Sequence, residues 1–170
     1  SGAPIYLSDA PKDFVRESIM PLCFQDGRLL RPLAPAVPLP ESVCADTFNE
    51  PLAYRVIAPL PNGCAAVAAY NLMEQAQPTS ISASVSASDY SHASGLMQPY
   101  PGPWNQPADG VVVYDWSAGK GARLDQPYAF KLEGFSDRLL LLCPVRRGWA
   151  VVGRVDKYLS PVAVEEIETT

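Results

Sequence analysis

The sequence has little positive charge, a single histidine and no long apolar run. It contains 13 Lys and Arg residues against 18 Asp and Glu residues, which gives a formal net charge of −5 at pH 7. Nucleic-acid-binding proteins usually present clustered basic side chains to the phosphates, and here these side chains are scattered. No apolar stretch approaches the roughly 20 residues needed to cross a bilayer. We therefore expect neither nucleic acid nor membrane among the partners.

Close pairs of cysteine are also lacking. Cys23, Cys44, Cys64 and Cys143 lie far apart, without a CxxC or CxxH pair, whereas zinc sites usually take ligands from two such pairs. We therefore expect no metal site and no cofactor. Small buried thiols are the simplest interpretation, and a disulfide is the alternative. His92 lies in a Ser- and Ala-rich tract, which is a poor place for a preorganised base.

Residues 1–31 have the pattern of a strand followed by a helix. Residues 5–7 form a short apolar run, typical of a parallel strand that is covered on both faces. Asp9 is a suitable helix N-cap, and an apolar stripe follows at helical spacing, at Val15, Ile19 and Leu22. A parallel strand needs hydrogen-bonded neighbours. We therefore expect this unit to be incomplete and the chain to be the tail of a longer protein.

The pattern then changes twice. Prolines are frequent in residues 32–53, which predicts an extended linker. From residue 54 onwards, short apolar strands alternate with turns, and the first two strands are joined by Asn62-Gly63, as in a β-hairpin. We predict a mainly β protein in which residues 54–170 form an antiparallel β-sandwich with a long loop around residues 74–109.

The strands and the core of this sandwich follow from the same pattern. The predicted strands cover residues 54–58, 64–71, 110–116, 128–132, 138–145, 149–155 and 162–164, and residues 80–86 alternate with the period of one more strand. Trp116 and Trp149 are expected to be half-buried. The predicted core residues are Val56, Val67, Val112, Tyr114, Leu140, Leu142, Val151 and Val155.

Two aromatic side chains, Tyr100 and Trp104, lie in a Pro- and Gly-rich part of the predicted loop. Proline and glycine prevent a regular strand or helix there. These rings could stack on a sugar, or they could anchor the loop to its own domain. We retain both as candidate substrate-binding residues.

Several segments, taken in order, resemble one enzyme family. SGAPIYLSD at the start and DGRLLR at residues 26–31 are similar to the SGGPVYVSD and DGSxLR segments of the raffinose synthase and seed-imbibition-protein group of α-galactosidase-like glycoside hydrolases. Tyr54-Arg55-Val56, Asn62-Gly63 and Tyr70-Asn71 occupy the places of that family's strand, glycine turn and second strand. FSDRL at residues 135–139 and CPV at residues 143–145 resemble its closing strand.

The resemblance implies a role within a larger enzyme. In that family a (β/α)8 barrel is followed by an antiparallel β-domain, so residues 1–31 would be the last strand-helix unit of the barrel. Ser8 and Asp9 would then lie at the carboxyl end of the strand, where such barrels bind substrate. The partners would be the remainder of the enzyme and, through its barrel, an oligosaccharide. Departures at residues 38–41 and 72–73 favour hydrolysis over raffinose synthesis.

The reacting carboxylates would lie elsewhere in the parent enzyme. A retaining glycosidase uses two carboxyl groups about 5–5.5 Å apart, and the family takes both from earlier barrel strands. We therefore assign no catalytic residue, and expect this chain to be a non-catalytic segment of a glycoside hydrolase. The alternative is a free-standing β-sandwich that binds carbohydrate or another protein, although such a sandwich has no use for a buried parallel strand.

Overall fold

The protein is mainly β in the computed structural model, which describes residues 19–73, 79–97 and 108–164. An α-helix, α1, spans Ala87–Met97, and short 3-10 turns lie at Met20–Leu22, Pro40–Ser42, Pro61–Gly63 and Ser160–Ala163. The strands are β1 (Val37–Pro38), β2 (Tyr54–Pro59), β3 (Ala65–Tyr70), β4 (Ile81–Val85), β5 (Gly110–Asp115), β6 (Lys120–Arg123), β7 (Tyr128–Leu132) and β8 (Asp137–Val145). The mainly β prediction is therefore confirmed.

These strands form two antiparallel sheets. The larger sheet has the order β1-β2-β3-β8-β5-β6, and the smaller one pairs β4 with β7. β2 and β3 form the predicted hairpin, with Tyr54 opposite Tyr70. Its turn places Asn62 and Gly63 at φ values of 60° and 73°, a region that favours asparagine and glycine. The Asn-Gly signal thus fixes this hairpin.

The main core lies between the two sheets and α1. Ile57, Val67, Val113 and Leu140 of the larger sheet pack in one cluster with residues of the smaller sheet and of the helix, which are Ile81, Val85, Ala93, Met97, Phe130 and Leu132. A second cluster covers the opposite face of the larger sheet and consists of Leu60, Cys64, Ala66, Leu141 and Cys143. Because β8 is central and covered on both faces, its apolar run is continuous rather than alternating.

The predicted core is correct for the central strands. Val67, Leu140 and Leu142 are fully buried. Val56, Val112, Tyr114 and Val151 are only half-buried. On β5, Val112 and Tyr114 alternate with the buried Val111 and Val113, so they face away from the main core.

The predicted strands at residues 149–155 and 162–164 are wrong. Arg146 and Trp149 form an isolated β-bridge, and residues 160–163 form a 3-10 turn. Gly153, at φ 87°, lets Ser160 approach so closely that a Cβ atom would lie 2.3 Å from its carbonyl oxygen. This bend ends any strand. Val155, predicted in the core, is consequently 56% exposed, and Trp149, predicted to be half-buried, is 74% exposed. Trp116 is half-buried as predicted.

The predicted loop around residues 74–109 contains β4 and α1 in its described part, and β4 matches the alternating pattern noted at residues 80–86. The helix is a correction, because its Ser- and Ala-rich sequence gives no apolar stripe. Its start is fixed by Asp89, whose carboxylate accepts a hydrogen bond from the backbone N–H of Ser86 at 2.9 Å. Two buried residues four apart, Ala93 and Met97, then hold it on the core.

The proline-rich segment 32–53 runs along the edge of the larger sheet. β1 pairs with β2, placing Val37 opposite Ile57, and prolines are tolerated at such an edge because they need not donate to the ladder. Leu39 is fully buried in the main core. Within the described residues, no helix has the length and apolar character that a membrane span requires.

Candidate functional site

The four residues predicted to bind substrate, Ser8, Asp9, Tyr100 and Trp104, lie outside the described residues. The same holds for the strand-helix start at residues 1–18. These assignments therefore stay predictions. The described part nevertheless shows how the segment that follows residue 18 packs on the β-domain. This contact region is the first candidate for a functional surface.

Residues 20–30 fold back on themselves as a small hairpin. Cys23 and Leu29 form a β-bridge, and Gly27, at φ 87°, turns the chain between Asp26 and Arg28, whose side chains are joined at 2.6 Å. Leu30 and Cys23 are each 8% exposed. The hairpin includes most of the DGRLLR segment of the resemblance, residues 26–31, of which Leu30 is buried.

Lys157 and Tyr158 hold this hairpin. The backbone N–H of Tyr158 donates to the carbonyl oxygen of Pro21 at 3.1 Å, and the Lys157 ammonium group donates to the carbonyl oxygen of Met20 at 2.6 Å. Lys157 is only 6% exposed, and buried polar groups are almost always hydrogen-bonded. The lysine therefore ties the amino-terminal segment to the β-domain.

The loop that carries Lys157 is itself fixed. The carbonyl oxygen of Lys157 accepts hydrogen bonds from the Trp116 indole at 2.9 Å and from the Ser160 hydroxyl at 2.7 Å. The Trp116 ring packs on Tyr158, with ring centroids 4.5 Å apart. These contacts hold Lys157 beside Trp116, the residue that follows β5, and so position its ammonium group.

A cleft of about 430 Å³ lies at this junction, lined by Met20, Pro21, Gln25, Arg154, Asp156 and Lys157. Arg154 and Asp156 form an exposed ion pair at 2.8 Å, and the hydrogen bond from Arg154 holds the pKa of Asp156 below its usual range. Among the described lining residues, Asp156 is the one carboxylate, and it is already paired with Arg154.

The two buried carboxylates of the described residues, Asp89 and Asp115, are each paired with an arginine. Asp115 is fully buried and pairs with Arg138 at 3.0 Å. Asp89 pairs with Arg55 at 3.2 Å. Among the described residues, no group of three His, Cys, Asp or Glu side chains could hold a metal ion.

A second exposed surface lies at the turn after β8. Arg147 and Gly148 both have positive φ, at 50° and 82°, and Arg146 and Trp149 exchange backbone hydrogen bonds at 2.8 and 3.0 Å. The turn is braced by the N–H of Arg147, which donates to Asp109 at 3.1 Å. Hydrogen bonds therefore fix the backbone at Trp149, while its side chain is 74% exposed.

Sequence reasoning missed Lys157 and Asn71. The Asn71 amide lies 1% exposed, and its Nδ2 donates to the carbonyl oxygens of Thr79, Leu132 and Glu133 at 2.6, 3.2 and 3.0 Å. It links the end of β3 to the end of β7. A polar residue directly after an apolar strand was the available signal, but its partners are remote in sequence.

Alkaline pH is expected to destabilise the corner at residues 61–64. The Tyr90 hydroxyl donates to the carbonyl oxygen of Gly63 at 2.8 Å, and burial raises its pKa to about 12. The hydrogen bond with the Cys64 thiol and burial raise the pKa of Cys143 well above its usual range. Both groups ionise more readily in the unfolded chain. Their stabilisation is therefore full below about pH 8 and is lost as the pH rises through the folded pKa values.

Urea midpoints measured between pH 6 and pH 12 check this prediction, which expects a plateau followed by a decline beginning near about pH 9. Complete ionisation of Tyr90 should lower the free energy of unfolding by about 2 kcal/mol. Tyr90→Phe and Cys143→Ala should each flatten the decline. An equally steep decline in both variants would contradict the assignment.

Neither a family model nor a curated protein sequence matches the chain. Among solved structures, the chain is similar to a protein from Bacillus halodurans described as a "putative alpha-N-acetylgalactosaminidase", at 15% sequence identity and a TM-score of 0.34. The match covers 58% of this chain but 20% of that protein, so this chain spans much less than its full length. A similarity at this level does not identify a family.

Proposed function

We propose that the chain is a carboxyl-terminal, non-catalytic segment of a glycoside hydrolase that acts on α-galactosides or related oligosaccharides. In this role the β-domain supports the catalytic barrel by holding its last strand-helix unit. The sequence resemblance to the α-galactosidase-like group suggests the substrate class, and the fold of the resembling segments supports the assignment.

The observation that carries the proposal is that these separate segments lie together. β2, β3 and β8 carry most of the resembling residues that follow residue 53, and these strands are neighbours in the larger sheet. Tyr70 lies opposite Asp137 in the β3–β8 register, and the Asn71 backbone N–H donates to the carbonyl oxygen of Ser136 at 2.9 Å. Segments that are about 65 residues apart in the sequence thus form one continuous surface.

The packing of residues 20–30 on the β-domain supports the proposal that this domain holds the last unit of the barrel. A segment that only linked two independent domains would make few contacts with either of them. Here the buried Lys157 ammonium group binds the Met20 carbonyl oxygen, so the chain that leads out of the barrel would be clamped at the edge of the β-domain. Among the described carboxylates, the buried ones are paired with arginine.

The test compares the protein encoded by the complete reading frame with the 170-residue chain. Each is incubated with 4-nitrophenyl α-galactoside and with raffinose, and released product is measured. We expect turnover by the complete protein and none by this chain alone. Turnover by this chain, or a complete protein that cleaves neither substrate, would overturn the proposal.

A matched pair of variants tests the clamp in the complete protein. Lys157→Met keeps the length of the side chain and removes the ammonium group, so we expect a lower thermal midpoint and faster loss of activity on heating. Lys120→Met changes an exposed lysine on β6 and should leave both unchanged. Equal behaviour of the two variants would show that Lys157 does not couple the β-domain to the barrel.

Trp149 favours a second candidate function, direct binding of carbohydrate by the β-domain. An exposed indole on a hydrogen-bonded turn offers a flat apolar face of the kind that is enriched at binding surfaces. We expect Trp149→Ala to weaken binding of the 170-residue chain to immobilised raffinose by about tenfold, equivalent to about 1.4 kcal/mol. Its unfolding free energy should change by less than about 0.5 kcal/mol.

Phe135→Ala is the control for this prediction, because Phe135 is 66% exposed and lies in the turn before β8. It should leave raffinose binding unchanged. If the unmodified chain does not bind raffinose, or if both variants weaken binding equally, the exposed indole is not a carbohydrate site.

A further inference from the structure

Two of the four cysteines face each other across neighbouring strands. β3 and β8 are antiparallel with Ala65 opposite Leu142, so one step along the register brings Cys64 opposite Cys143. The backbone N–H of Cys64 donates to the Pro61 carbonyl oxygen, and its own carbonyl oxygen accepts from the Leu60 N–H. Both backbone groups therefore point away from β8, as in a non-hydrogen-bonded pair.

The spacing of such a pair suits a disulfide. Residues at non-hydrogen-bonded positions have Cα atoms about 4.5 Å apart, which lies within the range of about 4.4–6.8 Å found across disulfides. Cys64 and Cys143 are both free thiols, are 2% and 0% exposed, and belong to the same apolar cluster. Their side chains therefore lie on the same face of the sheet, where they can meet without a change of register.

We propose that Cys64 and Cys143 are a redox modification site, at which a small-molecule disulfide such as oxidised glutathione converts the two thiols into a disulfide across β3 and β8. One cysteine thiolate attacks the oxidant, forming a mixed disulfide and releasing one glutathione thiolate. The other cysteine thiolate then attacks the protein sulfur and releases the second glutathione. Two electrons and two protons pass from the protein thiols to the two glutathione molecules.

The disulfide is expected to stabilise the fold. It closes a loop of about 80 residues, which restricts the unfolded chain. It also fixes the corner at which the Tyr90 hydroxyl binds the Gly63 carbonyl oxygen. Because both thiols are buried, a local opening of this corner is needed before the oxidant can react. We therefore expect oxidation to be slow in the native protein and faster when a sub-denaturing concentration of urea is added.

The experiment uses the full 170-residue chain with Cys23→Ala and Cys44→Ala, which leaves only the proposed pair. The protein is incubated with oxidised glutathione in sub-denaturing urea, and peptide mapping identifies the linked residues. We expect a Cys64–Cys143 peptide lighter by two hydrogens and a thermal midpoint raised by about 5–15 °C. Dithiothreitol should reverse both changes.

Further substitution of Cys64→Ala or Cys143→Ala is the control and should leave glutathione adducts without a higher midpoint. If these variants do not fold, mapping of the unsubstituted chain decides the question, because four cysteines then compete and a Cys64–Cys143 link is still expected. Glutathione adducts alone, links to Cys23 or Cys44 instead, or a cross-link that lowers the midpoint would overturn the proposal.

Discussion

Asp115→Ala is expected to lower the free energy of unfolding by about 3–5 kcal/mol, the range measured when one partner of a buried ion pair is removed. The Asp115 carboxylate is 0% exposed. One of its oxygens accepts hydrogen bonds from the Tyr128 hydroxyl and from Arg138, both at 3.0 Å, and the other accepts from the Ala118 backbone N–H at 3.0 Å. The substitution leaves all three donors without this acceptor.

The position of Asp115 makes the loss larger than that of one hydrogen bond. Asp115 ends β5, Tyr128 begins β7 and Arg138 lies near the start of β8, so the carboxylate joins the smaller sheet to the larger one. The guanidinium group of Arg138 also lies 5.6 Å from the centroid of the Phe130 ring. Without its counterion this group stays partly buried, at 27% side-chain exposure.

Urea unfolding followed by circular dichroism measures the effect, with Asp125→Ala as the matched control. Asp125 pairs with Arg123 at 3.1 Å, but both side chains are more than half exposed, and exposed pairs contribute about 0–1 kcal/mol. If the two substitutions lowered stability equally, the Asp115 carboxylate would not be a buried link between the sheets.

Leu140→Ala should lower the free energy of unfolding by about 2–5 kcal/mol, because it removes buried methyl groups and leaves a cavity. Leu140 is 0% exposed and packs in the main core. Its strand, β8, lies at the centre of the larger sheet between β3 and β5, and Leu140 lies opposite Val67 of β3. Central strands have little freedom to collapse around a void.

The denaturant midpoint of Leu140→Ala checks this prediction at an unchanged m-value. Val155→Ala is the control, since Val155 is 56% exposed and should change stability by less than about 0.5 kcal/mol. A midpoint of Leu140→Ala that matched that of the unsubstituted chain would show that the core lies elsewhere.

Local pattern was sufficient to predict the central strands. The turn Asn62-Gly63 and the apolar runs on either side of it specify β2 and β3, because turn geometry and side-chain alternation are properties of neighbouring residues. The same reasoning failed at residues 149–155, where the local sequence favours a strand that does not form. Trp149-Ala150-Val151-Val152 has the composition of a strand, but the close approach of Gly153 and Ser160 bends the chain there.

The candidate sites were less predictable than the strands, because each depends on residues that are remote in the sequence. Lys157 binds the carbonyl oxygen of Met20, and Asn71 binds those of Leu132 and Glu133. The residues close to Lys157 and Asn71 in the sequence do not predict these hydrogen-bond partners. The substrate-binding predictions at Ser8, Asp9, Tyr100 and Trp104 stay untested by the described residues.

The amino-acid sequence by itself determined the mainly β character, the Asn-Gly hairpin and the apolar strand β8, because these follow from periodicity and turn chemistry over a few residues. Only the tertiary structure decided that Asp115 is buried against Arg138, that Cys64 and Cys143 lie in one buried cluster, and that Trp149 is exposed on a hydrogen-bonded turn. The physical reason is that strand order and register bring distant residues together, and a linear pattern does not encode which distant residues will meet.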